Sequence, residues 1–225
     1  MFDTAAALAL LQYGDSAYPA GGFAFSWGVE GLAADGLLSE SADLDDLVFE
    51  HVAFRWNTMD RILLRRAFVA ADLDAIAAAD RTAEAATPSA QMRDGSHRAG
   101  RALLGVSVRL GGSLSTAYRA MLTADARLGH LPIVQAIVYR DAGIGLDAAQ
   151  LLSGWTLVTG LVSAAVRLGT IGHIQAQQSL ATARRVLETL LAETPTAHAQ
   201  PSSFTPLIDI AVSRGPSRHV RMFST

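Results

Sequence analysis

The 225 residues are 50% apolar and only 17% charged, with a formal charge of -3 and no cysteine. That balance offers no basic surplus for nucleic acid, and the missing thiols remove disulfides, zinc ribbons, iron–sulfur clusters and cysteine nucleophiles. All 18 cationic side chains are arginine, which also removes the Walker lysine and Schiff-base chemistry.

The chain opens with MFDTAAALALLQYGD, which lacks the basic flank and small-residue cleavage pattern of a secretory signal. It reads as mature sequence, and a cytoplasmic location is expected. Apolar residues then recur at helical spacing, and no run alternates with period two for long enough to make a sheet. The expectation is an all-α fold: one compact bundle of about ten helices over 1–225, with a linker at 194–203 and a docking tail at 204–225. So small a charged fraction implies that a second chain covers part of the apolar surface.

In chain order, Ser41 is expected to cap a helix whose first turn carries Asp43, Asp45 and Asp46. Leu44, Leu47, Val48, His51, Val52 and Arg55 form its core-facing stripe, continued by Ile62, Leu63, Arg66, Phe68 and Val69. An alanine-rich helix over 74–86 stops at Thr87-Pro88, and another over 101–110 closes at Gly111-Gly112. Ser113 or Ser115 opens the next, to about Leu128. Gly129-His130-Leu131-Pro132 breaks the chain, and Ile133, Val134, Ile137 and Val138 suit a helix beginning at the proline. Asp147 is placed as the cap of an apolar helix ending at Leu168. Ser153, Thr156, Thr159 and Arg167 interrupt it, so it reads as a central core helix, with no membrane role. Gly160 and Ala164 within it would admit a close helix, from this chain or another. A last long helix over 173–193 buries Leu180, Val186, Leu187, Leu190 and Leu191.

Two segments stand out. In the first, 14–30, Pro19, the paired Gly21-Gly22 and the rings of Phe23, Phe25 and Trp27 shape a tight turn. With no strand before it and no lysine after it, a phosphate cradle is disfavoured. Ser26 lacks the glycines of a nucleophile elbow and is expected to cap a helix. The second, 214–223, joins Arg214, Arg218, His219 and Arg221 to Met222 and Phe223. A terminus of this kind either frays or orders on a partner, since arginine and large apolar groups dominate interface hot spots. The six histidines show no ligand spacing along a helix, so no metal site is expected. His51 is expected as a hydrogen-bonded core residue, while His130 and His173 could meet across a dimer.

These segments resemble the UreF family of urease accessory proteins. Asp15-Ser16-Ala17, Pro19, Gly21-Gly22-Phe23, Ser26, Gly28 and Glu30 match its opening motif in register. RAGRALL at 98–104, SAAVRL at 163–168, and Arg218-His219 with Arg221-Met222-Phe223-Ser224 follow in order. The chain departs from the pattern at Phe25, where a histidine is usual, and at Thr170-Ile171-Gly172-His173, where the family has proline-leucine-glycine-glutamine. Gln175-Ala176-Gln177 likewise replaces aspartate-glycine-glutamine.

The resemblance implies a homodimer without catalytic residue or cofactor that binds the UreD (UreH) scaffold and recruits the UreG GTPase to apo-urease for nickel insertion. It implies a partner-binding surface of Asp15, Ser16, Gly21, Gly22, Phe23, Ser26 and Glu30 with Arg214, Arg218, His219, Arg221, Met222 and Phe223. Arg221 is expected to pack on the Phe23 loop, where a guanidinium finds acceptors and a ring face. Two rivals remain: a direct activator of the GTPase through an arginine finger, and a hydrolase using Ser26 or Asp15.

Overall fold

The computed structural model describes residues 3–19, 22–196, 198–215 and 222–223, the side chain of Phe23 excepted. Among these residues no strand occurs, and the architecture is an all-α bundle. The helices are α1 (Thr4–Gly14), α2 (Val29–Ala34), α3 (Ser41–His51), α4 (Arg61–Val69), α5 (Leu73–Ala86) and α6 (Ala90–Arg109). They continue as α7 (Ser113–Ala124), α8 (Leu131–Asp141), α9 (Leu146–Arg167), α10 (His173–Ala192) and α11 (Pro206–Ser213), with a 3-10 turn at Gly22–Ala24.

Helices α3 and α4 are one continuous rod, joined by a π-helical stretch at Val52–Asp60. The expected stripe from Leu44 to Arg55 is buried, as are Ile62 and Leu63, but Val69 at the end of the rod is exposed. In the π stretch, residues five apart come onto one side, whereas in an α-helix they stand about 140° apart. Arg55 and Asp60 use that alignment for an ion pair at 3.6 Å.

Helix starts differ from the sequence expectation, and at α3 the cause is a carboxylate that reaches backward to cap. Glu40, not Ser41, holds the cap of α3, and Asp43 accepts the Ser39 and Glu40 N–H groups at 2.8 and 3.0 Å. These bonds hold the Asp43 carboxyl below its ordinary range. Gly145 caps α9, leaving Asp147 in the first turn, where it accepts from Gln150. The helix to which 101–110 belongs, α6, begins at Ala90 on the Ser89 hydroxyl. At α10 the departure from the family pattern serves locally: Gln175 Oε1 accepts the Gly172 N–H at 2.8 Å and starts the helix.

The buried side chains form two clusters. One gathers α2, α3, the C-terminal half of α9, α10, α11 and Phe223. The other surrounds α8 with α4 to α7 and the N-terminal part of α9. At the waist between them, a Cβ on Gly154 of α9 would lie 2.8 Å from both Trp56 and Leu187. The Trp56 indole donates to Ser153, which donates to Gln135, so the waist polar groups are satisfied within the core. Of the residues expected to be buried on α10, Leu187 is; Leu180, Val186, Leu190 and Leu191 pack half-buried against the first cluster.

Helix α9 is long and apolar enough to cross a membrane, yet more than half of its most apolar stretch is buried inside the protein. It is the central core helix that its interrupting polar groups predict. The segment after α10 is pinned to the rod. Arg61 donates to the Leu190 and Glu193 carbonyls, each at 2.7 Å, and Arg66 to the Ala199 carbonyl at 2.8 Å. Ser202 and Phe204 then donate their N–H groups to the Thr58 and Phe54 carbonyls of the π stretch. This path delivers α11, a helix absent from the sequence expectation, onto α2.

Candidate functional site

The first site residues lie where the chain reverses at Trp27 (φ 50°) and Gly28 (φ 100°). Glycine is required at the second position because its φ is left-handed and α11 closes over it. A Cβ there would stand 3.0 Å from Ile208 Cγ2 and 3.5 Å from Val212 Cγ2. Gly28 therefore holds the cap of α2, and Ser26 is fully buried rather than capping.

Beyond the turn, Glu30 faces the other end of the chain. Its carboxylate accepts the Met222 N–H, and the Phe223 N–H at 3.3 Å. The Phe223 ring is buried, with the Arg167 guanidinium 4.2 Å from its centroid, while Met222 is 56% exposed. Arg214 reaches Asp35 at 3.4 Å across the same junction. The structure thus joins Glu30 to Met222 and Phe223 at the start of α2 and Arg214 to Asp35 at its end, with Phe223 inward and Met222 outward. Asp15 and Ser16 lie exposed in the turn after α1, Asp15 accepting the Ala17 N–H at 2.6 Å, and Gly22 is exposed in the 3-10 turn. Gly21, Arg218, His219, Arg221 and the Phe23 side chain lie outside the described residues, and so does the expected packing of Arg221 on the loop.

Beneath this loop is a cavity of about 750 Å³, bounded by α1, the π stretch, α6, α8 and α9. Phe25, the family departure, is buried in its wall, stacked on Trp27 at 5.3 Å, with the Arg98 guanidinium 5.2 Å from its ring. Gly160 also borders this space, and among the described residues nothing stands within 4 Å of where its Cβ would be. His51 is the hydrogen-bonded core residue expected of it: Nε2–H donates to the Trp27 carbonyl at 2.8 Å, leaving Nδ1 buried without a partner among the described residues. Burial, and then the Arg55 charge, push its pKa down to about 3. Burial raises the Asp60 carboxyl against the pull of Arg55.

A second polar centre was not anticipated. Asp80 of α5, fully buried, accepts from the Tyr118 hydroxyl and from the Gly129 and His130 N–H groups. Burial raises its pKa to about 6 in spite of these donors. One turn further along α5, Glu84 Oε2 meets His97 Nε2 of α6 at 3.0 Å and His130 Nε2 at 2.9 Å. Burial alone would raise Glu84, but the two imidazole bonds outweigh it and hold the carboxyl below its ordinary value. His130 is buried and its pKa is pushed down to about 4, by burial first and then by His97.

The expectation that His130 and His173 could meet across a dimer is corrected by this geometry. His130 is sealed inside its own chain against His97, with ring centroids 3.9 Å apart, while His173 starts α10 on the exterior. The expectation of no metal-ligand cluster also changes: the ligand atoms of Glu84, His97 and His130 all lie within 4.8 Å of one another. Residues 13 and 46 positions from Glu84 leave no short-range spacing to detect. The available signal was the break at Gly129–Pro132, which aims His130 back across α5.

The family model described as UreF matches residues 38–184 of this chain. The urease accessory protein UreF of Trichodesmium erythraeum (strain IMS101) is 29% identical over 232 residues, covering 99% of this chain and 98% of that protein. Its counterpart from Yersinia pestis (strain Pestoides F) is 28% identical over 220 residues, covering 96% of each. With the model spanning well over half its length, the chain belongs to the UreF family of urease accessory proteins.

Proposed function

We propose that this chain is a non-enzymatic adaptor of urease maturation, acting in the cytoplasm. It docks on the UreD (UreH) scaffold through the surface where its two ends meet. As a homodimer it recruits the UreG GTPase to apo-urease for nickel insertion. The observation that carries this reading is the junction at Glu30, where the N-terminal turn grips the backbone of Met222 and Phe223 and leaves Met222 outward. A surface mixing an exposed thioether with guanidinium groups has the composition of an interface hot spot. The full burial of Ser26 speaks against its use as the nucleophile of a hydrolase.

The test is co-purification of the tagged chain with the scaffold. Deleting residues 214–225 is expected to reduce recovery at least about tenfold, the loss of a hot-spot cluster. Scaffold recovered at full yield by a folded truncation overturns the docking assignment.

A further inference from the structure

We propose that Glu84, His97 and His130 form a binding site for one exchangeable divalent transition-metal ion, separate from the surface formed by the chain ends. Two imidazoles and one carboxylate are the donor set that suits first-row ions such as zinc, cobalt or nickel, and ill suits calcium or magnesium, which take oxygen. The spacing agrees. Ligands about 2.1 Å from an ion stand about 3.0 Å apart at a right angle and about 3.4 Å apart at the tetrahedral angle. Here the two nitrogen–oxygen separations are 2.9 and 3.0 Å.

The surroundings hold these atoms in place. Glu84 comes from α5 and His97 from α6, two helix interiors, and His130 from the N-cap of α8. The loop carrying His130 is fixed by Asp80 on the Gly129 and His130 N–H groups and by Ser96 Oγ on the Leu131 N–H at 3.0 Å. Arg93 lies 3.3 Å from Glu84 Oε1 and donates to the Thr87 and Pro88 carbonyls. That contact orients the carboxylate with Oε2 towards the rings, as outer partners of metal ligands do. Glu84 and His97 are partly exposed, at 29% and 14% of their side chains, so an ion enters from the α5–α6 side. Three protein ligands leave a coordination position open, the arrangement of an exchangeable site rather than a closed structural one.

Without an ion, each Nε2–H donates to Glu84. Binding replaces those two hydrogen bonds with two nitrogen–metal bonds, and each ring's proton passes to Nδ1 through solvent. In His97 that atom is buried, with no hydrogen-bond partner among the described residues that would hold it in the other tautomer.

The experiment titrates the full chain with Zn2+ against a chromophoric chelator, and repeats it with Ni2+. One ion per chain is expected, with His97→Ala and Glu84→Gln each weakening binding at least about tenfold, and His173→Ala with His198→Ala changing nothing. No uptake of either ion, or equal affinity in the folded His97→Ala and wild-type chains, overturns the proposal. Because Glu84 and His130 also brace the fold, a wild-type measurement accompanies the variants. Paramagnetic Co2+ is expected to broaden the imidazole resonances of His97 and His130 first, and broadening centred on other histidines overturns the assignment.

Discussion

Around α8, buried polar atoms lock loops that lie within 50 positions of one another, as Asp80 locks Gly129 and His130. Around α11, the seal is made by groups 192 positions apart, as Glu30 holds Met222. The first region is closed by buried hydrogen bonds to the Asp80 carboxylate, where breaking any one leaves an unpaired group. The second joins the chain ends through partly exposed contacts at Glu30 above the buried Ile208, Val212 and Phe223, and chain ends are the part of a fold that opens at least cost. On the docking proposed above, rigidity and partner binding fall to different halves of the molecule.

The sharpest way to break the closed half is Gly100→Ala. A Cβ on this α6 glycine would stand 2.2 Å from the Gly129 carbonyl oxygen, which as backbone cannot turn aside. A loss of about 3 kcal/mol or more is expected, read as a lowered midpoint in urea unfolding. A midpoint equal to wild type would mean that α6 and the Gly129 loop are not in contact.

The waist between the halves is probed by pH. His51 has a folded pKa near 3 against about 6.5 unfolded, so below pH 6.5 the unfolded chain takes up a proton that the folded chain refuses. Stability from this group is complete above pH 6.5 and is lost as pH falls towards 3, at about 1.4 kcal/mol per unit. Between pH 6.5 and 4.5 the loss amounts to about 2 to 3 kcal/mol. His51→Gln, which keeps a donor for the Trp27 carbonyl, is expected to flatten the profile over that interval. Parallel profiles for wild type and variant would exclude His51 as the source.

The smallest effect belongs to the open half. Glu30→Gln weakens an exposed charge-assisted contact and is expected to cost no more than about 1 kcal/mol globally. Hydrogen exchange at the Met222 and Phe223 amides is expected to speed up markedly while the α8 amides keep their protection. Equal acceleration in both places would show that the halves open together.

The helical class, the rod's inward stripe, the proline-started α8 and the role of His51 were all legible in sequence, because each follows from local spacing or from one residue's chemistry. The junction between the N-terminal turn and the tail came from family resemblance, and the structure describes it through Glu30, Arg214, Met222 and Phe223. What stayed hidden was non-local. Glu84, His97 and His130 converge only after α5, α6 and the Gly129 turn have packed, and α11 lies within the stretch at 204–225 read as a docking tail. Arg61 was unremarkable on a periodic helix until its guanidinium met the Leu190 and Glu193 carbonyls.

The π stretch gives the central rod an unusual tolerance. Its i→i−5 bonding, seen where Arg61 N–H donates to the Trp56 carbonyl, stores about one residue more than an α-helix climbing the same turns. Elsewhere in a helix, losing a residue swings everything beyond it through about 100°. Between 52 and 60 the same deletion lets the ladder tighten to ordinary pitch, so the flanking segments keep nearly their present bearings. The casualty is the alignment of Arg55 with Asp60, which makes chain length here a control on the charge beneath the N-terminal turn.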